Sequence, residues 1–187
     1  NLDWVPWLEP IAIDDLTERH YEGLVDRRRD SSPYFRLLAR DPEVLAARTK
    51  ADIDIFQTGS RDGEGLPRPE RELGAAAASR VNGCVFCAAV HARFSAQLSK
   101  READIDLLLL EGADAAIAAL DPRWSAIVAA AAALTATPAA FSAENVTQLR
   151  AVGLSDEAIG DLISSAGFFS WANRLMLSLG EPENPTE

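Results

Sequence analysis

The chain has 187 residues, 48% of them hydrophobic, and a formal net charge of −11 at neutral pH. This length suits one domain, residues 1–187, with a core of its own. The acidic balance argues against nucleic acid or an anionic membrane surface as a partner. No apolar run reaches the ~20 uninterrupted residues of a membrane span. No leader peptide is visible, and the two cysteines share one motif, so the sequence predicts a protein of the reducing cytoplasm.

The N-terminal residues 1–13 contain two tryptophans and two prolines and are predicted to form an arm. Trp4 and Trp7 need a covering surface, which is either the arm's own domain or a neighbouring subunit. A helix is predicted from Asp14 to Arg29, with acids at its start and arginines at its end, as the helix dipole favours. After a break, a short helix is expected over 34–39.

The middle of the chain is punctuated by capping signals. Asp41 and Pro42 provide an N-cap and a first-turn proline for a helix that ends near Phe56. Residues 57–69 are rich in glycine, proline and charge and are predicted to form a loop. Asn82 followed by Gly83 is a turn signal, with Gly83 suited to the left-handed residue that ends a helix.

The remaining elements are also predicted as helices, from caps and from apolar positions at helical spacing. Their expected bounds are 69 to the turn at Asn82-Gly83, that turn to about 98, 100–111, 122–135, 143–151 and 155–179. No segment is predicted as a strand, so the fold class is all-α. On the last helix, Trp171, Asn173 and Arg174 belong to the core, to a pocket lining or to a subunit interface.

One motif brings together the residues with reactive side chains. Cys84, Cys87 and His91 stand at i, i+3 and i+7 after the turn, within roughly 60° of arc on one helix face. Glu72 lies on the preceding helix, at a distance from the turn similar to that of His91. If the two helices fold back on each other, the carboxylate, the imidazole and the two thiols are expected to meet.

These residue types suit dithiol chemistry. A thiol attacks as the thiolate, which a helix N-terminus, a neighbouring thiol and a nearby base all favour. On helix position alone, Cys84 is expected to be the more acidic thiol. A second thiol at this spacing converts a sulfenic acid into a disulfide. His91 is expected to accept protons, with Glu72 orienting it. The predicted reaction is peroxide reduction or disulfide exchange.

The pattern Glu-x11-Cys-x-x-Cys-x-x-x-His, on a helical background, resembles the alkylhydroperoxidase AhpD-like branch of the carboxymuconolactone decarboxylase superfamily. Glu72, Cys84, Cys87 and His91 match that motif position by position. The flanking Pro-x-Glu-Arg-Glu-Leu, Ser-Arg-Val-Asn-Gly-Cys and Phe-Phe-Ser-Trp-Ala-Asn-Arg-Leu stretches resemble its peroxidase-related members. The resemblance covers roughly residues 33–180. Phe86 departs from relatives, which often carry His or Tyr before the second cysteine.

The resemblance implies an AhpD-like helical domain and a thiol-dependent hydroperoxidase. It assigns the peroxide to Cys87, the resolving role to Cys84, and the proton relay to His91 and Glu72. It implies no metal, haem or flavin. The implied partners are a hydroperoxide substrate, a thiol or dihydrolipoyl-type reductant and further copies of the chain, as a trimer or a hexamer.

Several alternatives to a peroxidase stay open on the sequence. The same four side chains are candidate ligands of one zinc ion, although structural zinc sites prefer more sulfur. In a second alternative, the two thiols are inert core residues and the protein is a helical assembly module. Within redox chemistry, the alternative is a general disulfide reductase or a redox sensor. A decarboxylase is a weaker alternative, because the decarboxylases of the superfamily generally lack the cysteine pair.

Overall fold

The structure is a computed structural model that describes residues 2–57 and 65–183. Within these residues it contains ten α-helices and one antiparallel pair of short strands. The predicted all-α fold class is therefore confirmed. Most of the loop predicted over 57–69 lies outside the described residues.

In chain order, the ten helices lie between the two strands. Their bounds are α1 Glu18–Leu24, α2 Pro33–Leu38, α3 Pro42–Phe56, α4 Arg68–Val81, α5 Val85–Ser99, α6 Glu102–Glu111, α7 Ala113–Ala119, α8 Pro122–Thr135, α9 Ala143–Ala151 and α10 Asp156–Leu177. The strands are β1 Asp3–Pro6 and β2 Gly180–Glu183. In the parts of the chain that the structure describes, no helix is long and apolar enough to cross a membrane.

The prediction of a single helix over 14–29 is wrong. The segment forms a 3₁₀ turn, then α1, then a second 3₁₀ turn at Arg27–Ser31. Thr17 caps α1, and its backbone N–H donates to Nδ1 of His20 at 3.0 Å. Val25 ends the helix because its φ of 66° lies in the left-handed region, which a β-branched residue rarely adopts.

The chain forms two compact units. One contains the described residues up to Asp54 together with those from Leu175 onward, and the other runs from Ile55 to Arg174. All four residues of the predicted motif belong to the second unit.

The first unit contains the two strands, so the expectation of no strands is wrong at the ends of the chain. β1 pairs with β2 in antiparallel register, with Trp4 opposite Pro182. Trp4 is buried and its ring packs edge-on against Tyr34 at 5.2 Å between centroids. A Cβ at Gly180 would overlap the carbonyl oxygen of Val5 and the Trp4 ring. The first half of the arm therefore packs on its own chain, while Trp7 remains exposed.

The second unit is organised around α4. All residues from Glu70 to Ser79 on this helix are buried. Small side chains allow close neighbours: a Cβ added at Gly74 would lie 2.7 Å from Cδ1 of Leu162 on α10. Ser165 on the same helix donates its hydroxyl to the carbonyl oxygen of Arg71 at 2.6 Å. Because of this burial, Glu72 is held in a fixed position and its side chain is shielded from water.

Candidate redox site

The α4–α5 connection forms the predicted turn. Asn82 is the C-cap of α4, Gly83 follows with a φ of 74°, and Cys84 is the N-cap of α5. The backbone N–H of Cys84 donates to the carbonyl oxygen of Ser79 at 2.9 Å, which closes the turn. Gly83 adopts the left-handed conformation that the sequence predicts, and a side chain there would be strained.

The two thiols lie side by side at the start of α5. Their Sγ atoms are 3.0 Å apart, the two are not joined by a disulfide bond, and both cysteines are buried. A disulfide bond is ~2.0 Å long, so a movement of about 1 Å closes it. The pair is therefore arranged as a dithiol that can form an intramolecular disulfide.

The environment of Cys84 favours its thiolate. A hydrogen bond from the Cys87 thiol lowers the pKa of Cys84 below its ordinary value, and this is the largest cause. Burial acts in the opposite direction, while the backbone of Cys87 and the side chain of Asn173 lower the pKa further. The net direction is downward, so the thiolate of Cys84 is favoured relative to that of an ordinary cysteine.

Asn173 is a buried residue of α10 whose amide is fixed by two neighbours. Its Oδ1 accepts a hydrogen bond from Nδ2 of Asn82 at 3.1 Å, and its Nδ2 donates to Oγ of Ser79 at 3.0 Å. Because an amide donates only through its nitrogen, this arrangement turns the N–H groups of Asn173 towards Ser79 and Cys84. The sequence predicts Asn173 on the last helix but does not indicate its contact with the thiols. The one sequence signal for a special role of Asn173 was its polar side chain within a long, mostly apolar helix.

Glu72 and His91 are in contact, as the hairpin geometry predicts. Oε2 of Glu72 lies 2.6 Å from Nδ1 of His91, and both side chains are buried. An ionised Glu72 selects the tautomer with its proton on Nδ1, which leaves Nε2 able to accept a proton. The second carboxylate oxygen accepts a hydrogen bond from Nε of Arg68 at 3.1 Å. Arg68, one turn before Glu72, was missed by the sequence reasoning although its i, i+4 spacing pointed to this pairing.

Two aromatic rings enclose the His91 imidazole. The ring of Phe169 contacts it edge-on at 3.9 Å between centroids, and that of Phe56 lies at 5.2 Å. Both phenylalanines are buried. The rings keep water from this side of the imidazole and restrict its rotation, so the proton-accepting nitrogen has a fixed direction.

The four motif side chains therefore form two pairs on one hairpin. The dithiol is one pair, and the carboxylate with the imidazole is the other. Cys87 and His91 are both buried and stand one helical turn apart on α5. Residues 2–57 and 65–183 contain no group of three or more histidine, cysteine or acidic side chains arranged to hold a metal ion. The zinc alternative thus has no support in this part of the chain.

A cavity of about 390 Å³ opens beside the dithiol. Its wall includes Cys84 but not Cys87. The other lining residues are mostly apolar; they include Ser79, Arg80, Val85, Ala88 and Leu109. Of the two cysteines, Cys84 is thus the one that belongs to the wall of this cavity, and it is almost fully buried there.

A family model for the carboxymuconolactone decarboxylase family matches residues 42–136. The chain belongs to the carboxymuconolactone decarboxylase family. The matched range contains α4, α5 and the four motif residues, whereas Asn173 lies beyond it. The resemblance inferred from the motif is confirmed. The chain has no significant match among curated proteins.

Solved structures similar to this family member have the same fold. A peroxidase-related protein from a Silicibacter species is 28% identical, with a TM-score of 0.66 over 79% of this chain and 74% of its own. An AhpD-core, peroxidase-related protein from Ralstonia eutropha is 19% identical, with a TM-score of 0.74 over 94% and 90%. The debrominase Bmp8 is 16% identical, with a TM-score of 0.67 over 92% and 89%. The AhpD-like fold thus occurs with more than one chemistry.

Proposed function

We propose that this protein is a thiol-dependent hydroperoxidase that reduces hydroperoxides through a disulfide between Cys84 and Cys87. The observation that carries the proposal is the dithiol, with sulfurs 3.0 Å apart and a lowered pKa for Cys84. A buried acid–imidazole pair on the same helix hairpin supplies the proton acceptor that such a cycle needs.

Two observations favour Cys84 as the attacking thiol, in place of the Cys87 that the resemblance implies. The pKa of Cys84 is lowered, so more of it is thiolate at neutral pH. Cys84 also forms part of the cavity wall, whereas Cys87 does not, so a molecule in the cavity lies next to Cys84. Cys87 is then the resolving thiol.

The reaction proceeds in two steps. The Cys84 thiolate attacks the terminal oxygen of the hydroperoxide, the O–O bond breaks, and the departing alkoxide takes up a proton and leaves as an alcohol. Cys84 becomes a sulfenic acid. Cys87 then loses its proton and attacks the Cys84 sulfur, and the hydroxyl group leaves as water. A thiol reductant returns the disulfide to the dithiol and is itself oxidised to a disulfide.

His91 and Glu72 act on the protons of this cycle. Nε2 of His91 accepts a proton when a thiol ionises and returns it to the leaving oxygen. The ionised Glu72 carboxylate at 2.6 Å stabilises the imidazolium that exists between these events. Arg68 holds the other oxygen of Glu72 and so fixes the direction of the carboxylate.

Stopped-flow measurement of free thiols tests the proposal against its rivals. Reduced protein is mixed with one equivalent of hydrogen peroxide or tert-butyl hydroperoxide, and in parallel with a small disulfide. Loss of two thiols per chain within seconds on peroxide is the expected result. Fast loss only with the disulfide would make the protein a disulfide reductase. If neither reagent consumed thiols, the dithiol would be inert and the hydroperoxidase proposal would fail.

A further inference from the structure

We infer that the cavity beside Cys84 binds an aliphatic molecule with an anionic head group, and that Arg80 holds that head group. The inference rests on the proposed function for its link to turnover, but the binding itself is independent of any reaction. It names the class of molecule that meets Cys84, which the family match leaves open.

The size and lining of the cavity indicate a small organic ligand. Its volume of about 390 Å³ lies in the range of pockets for small molecules, which is roughly 300–1,000 Å³. Val85, Ala88 and Leu109 form much of its apolar wall. Such a wall favours an alkyl chain, because burial of each CH₂ group contributes about 0.8 kcal/mol.

Arg80 provides the charge at this wall. Its Nε donates to the carbonyl oxygen of Leu109 at 2.9 Å, so the guanidinium is held against the cavity lining. Across residues 2–57 and 65–183, no carboxylate forms an ion pair with Arg80. The charge of Arg80 is therefore not neutralised by any described carboxylate, and a guanidinium binds a ligand carboxylate in a bidentate manner.

The cavity thus combines three features: a redox-active cysteine in its wall, an apolar lining and a cation with no acidic partner among the described residues. A molecule that satisfies all three has a short alkyl chain with a carboxylate. Two sources have this chemistry, namely a carboxylic acid hydroperoxide as the oxidant and a carboxylic acid thiol as the reductant. Both place their reacting atom at the sulfur of Cys84.

Protection of Cys84 from alkylation tests the binding without any turnover. Reduced protein is treated with iodoacetamide in the presence of increasing octanoate or of octanamide, its neutral counterpart, and labelling of Cys84 is followed by peptide mass spectrometry. Octanoate is expected to protect at concentrations at least tenfold lower than octanamide. The difference is expected to disappear in Arg80→Gln, which keeps a side-chain N–H for the Leu109 carbonyl.

Two further variants separate charge from folding. Arg80→Lys keeps the cation and is expected to retain part of the preference for octanoate. Arg150→Gln removes an exposed arginine of α9 that pairs with Asp156, and it should behave as the wild type. Equal protection by octanoate and octanamide, or an unchanged preference in Arg80→Gln, would overturn the inference.

Turnover experiments then identify the source of the ligand. If the ligand is the oxidant, Arg80→Gln lowers kcat/KM for a carboxylic acid hydroperoxide at least tenfold more than for tert-butyl hydroperoxide. If the ligand is the reductant, Arg80→Gln slows reduction of the disulfide by mercaptooctanoic acid at least tenfold more than reduction by octanethiol. If Arg80→Gln affects both hydroperoxides equally and both thiols equally, the result counts against the inference. If octanoate protects Cys84 but peroxide does not oxidise the thiols, only the hydroperoxidase proposal is refuted. If peroxide oxidises the thiols but octanoate does not protect Cys84, only the ligand site is refuted.

Discussion

The Glu72 carboxylate and the His91 ring are separated by 19 residues in sequence and by 2.6 Å in space. The contact joins the middle of α4 to the middle of α5 across the turn at Gly83. Because both groups are buried, the interaction between them is poorly screened by solvent. This pair is therefore the part of the site that a single substitution tests most directly.

Glu72→Gln is expected to slow peroxide-dependent disulfide formation by roughly 10²-fold, the lower end of what general acid–base groups contribute. Glutamine still occupies the site, but it does not stabilise a positive His91. Stopped-flow thiol loss as a function of pH measures the effect. Glu157→Gln, an exposed position on α10, is the matched control and should keep the wild-type rate. A wild-type pH profile in Glu72→Gln would remove Glu72 from the mechanism.

The order of attack is tested by single-turnover experiments on the two serine variants. Cys84→Ser is expected to abolish the reaction with peroxide, because the acidic, cavity-lining thiol is missing. Cys87→Ser is expected to complete one turnover and to stop at a sulfenic acid on Cys84, which dimedone traps and mass spectrometry detects. The opposite pattern would restore the assignment implied by the family resemblance, with Cys87 as the attacking thiol.

Asn173→Ala is expected to raise the pKa of Cys84, since it removes one of the hydrogen bonds that lower it. The pH at which half of Cys84 is alkylated quickly should move upward. Ser79→Ala is the control, because it removes the hydrogen-bond acceptor of Asn173 but leaves the amide facing Cys84. A purely structural role for Asn173 would change stability in both variants without moving the alkylation midpoint in either.

The same lowered pKa gives a stability prediction with a defined sign. The pKa of Cys84 in the folded protein lies below that of an unfolded cysteine, about 8.5. The stabilisation from its thiolate is therefore complete above the unfolded pKa and is lost as the pH falls through the folded pKa. The reduced wild type should gain stability over Cys84→Ser as the pH rises through this window. Urea unfolding at several pH values measures the difference, and a flat difference would contradict it.

The motif hairpin could be predicted because its signals are local. Asn82 and Gly83 specify the turn, and the spacing of the cysteines and His91 on one helix face follows from helical geometry alone. Glu72 was reached by counting back along a second helix from the same turn. Arg68 was within reach by the same reasoning, since it stands four residues before Glu72.

The features that the sequence did not predict depend on distant contacts or unusual backbone angles. Asn173 reaches Ser79 across 94 residues, and no local pattern signals that contact. The pairing of β1 with β2 joins the two ends of the chain, where each strand alone is only 4 residues long. Val25 breaks the predicted first helix through its positive φ, which no rule for β-branched residues anticipates. Helix α7 was missed because Gly112 reads as a helix end, although it also caps the helix that follows.

The ion pair between Glu70 and Arg123 joins α4 to α8. Both oxygens of the buried Glu70 accept hydrogen bonds from the guanidinium at 2.7 Å. Arg123→Met should lower the free energy of unfolding by about 2–3 kcal/mol, less than for a fully buried pair because Arg123 is partly exposed. Combining it with Glu70→Gln should recover part of this loss, since no buried charge is then left unpaired. Additive losses in the double variant, measured by urea unfolding, would mean that the pair is not coupled.

Gly74 and Gly160 both lie within helices, but they differ in the space around them. A Cβ at Gly74 would lie 2.7 Å from Cδ1 of the buried Leu162, whereas a Cβ at the exposed Gly160 would have no atom of the described residues within 4 Å. Gly160→Ala should therefore stabilise the fold by about 0.4–1 kcal/mol, because alanine restricts the unfolded chain. Gly74→Ala has the same gain but overpacks the contact between α4 and α10, and a net loss of about 1–2 kcal/mol is expected. Thermal unfolding of the two variants checks the opposite signs, and Leu162→Val in the Gly74→Ala background should restore part of the loss. If both alanine variants were stabilised, α4 would not be packed as tightly against α10 as the structure shows.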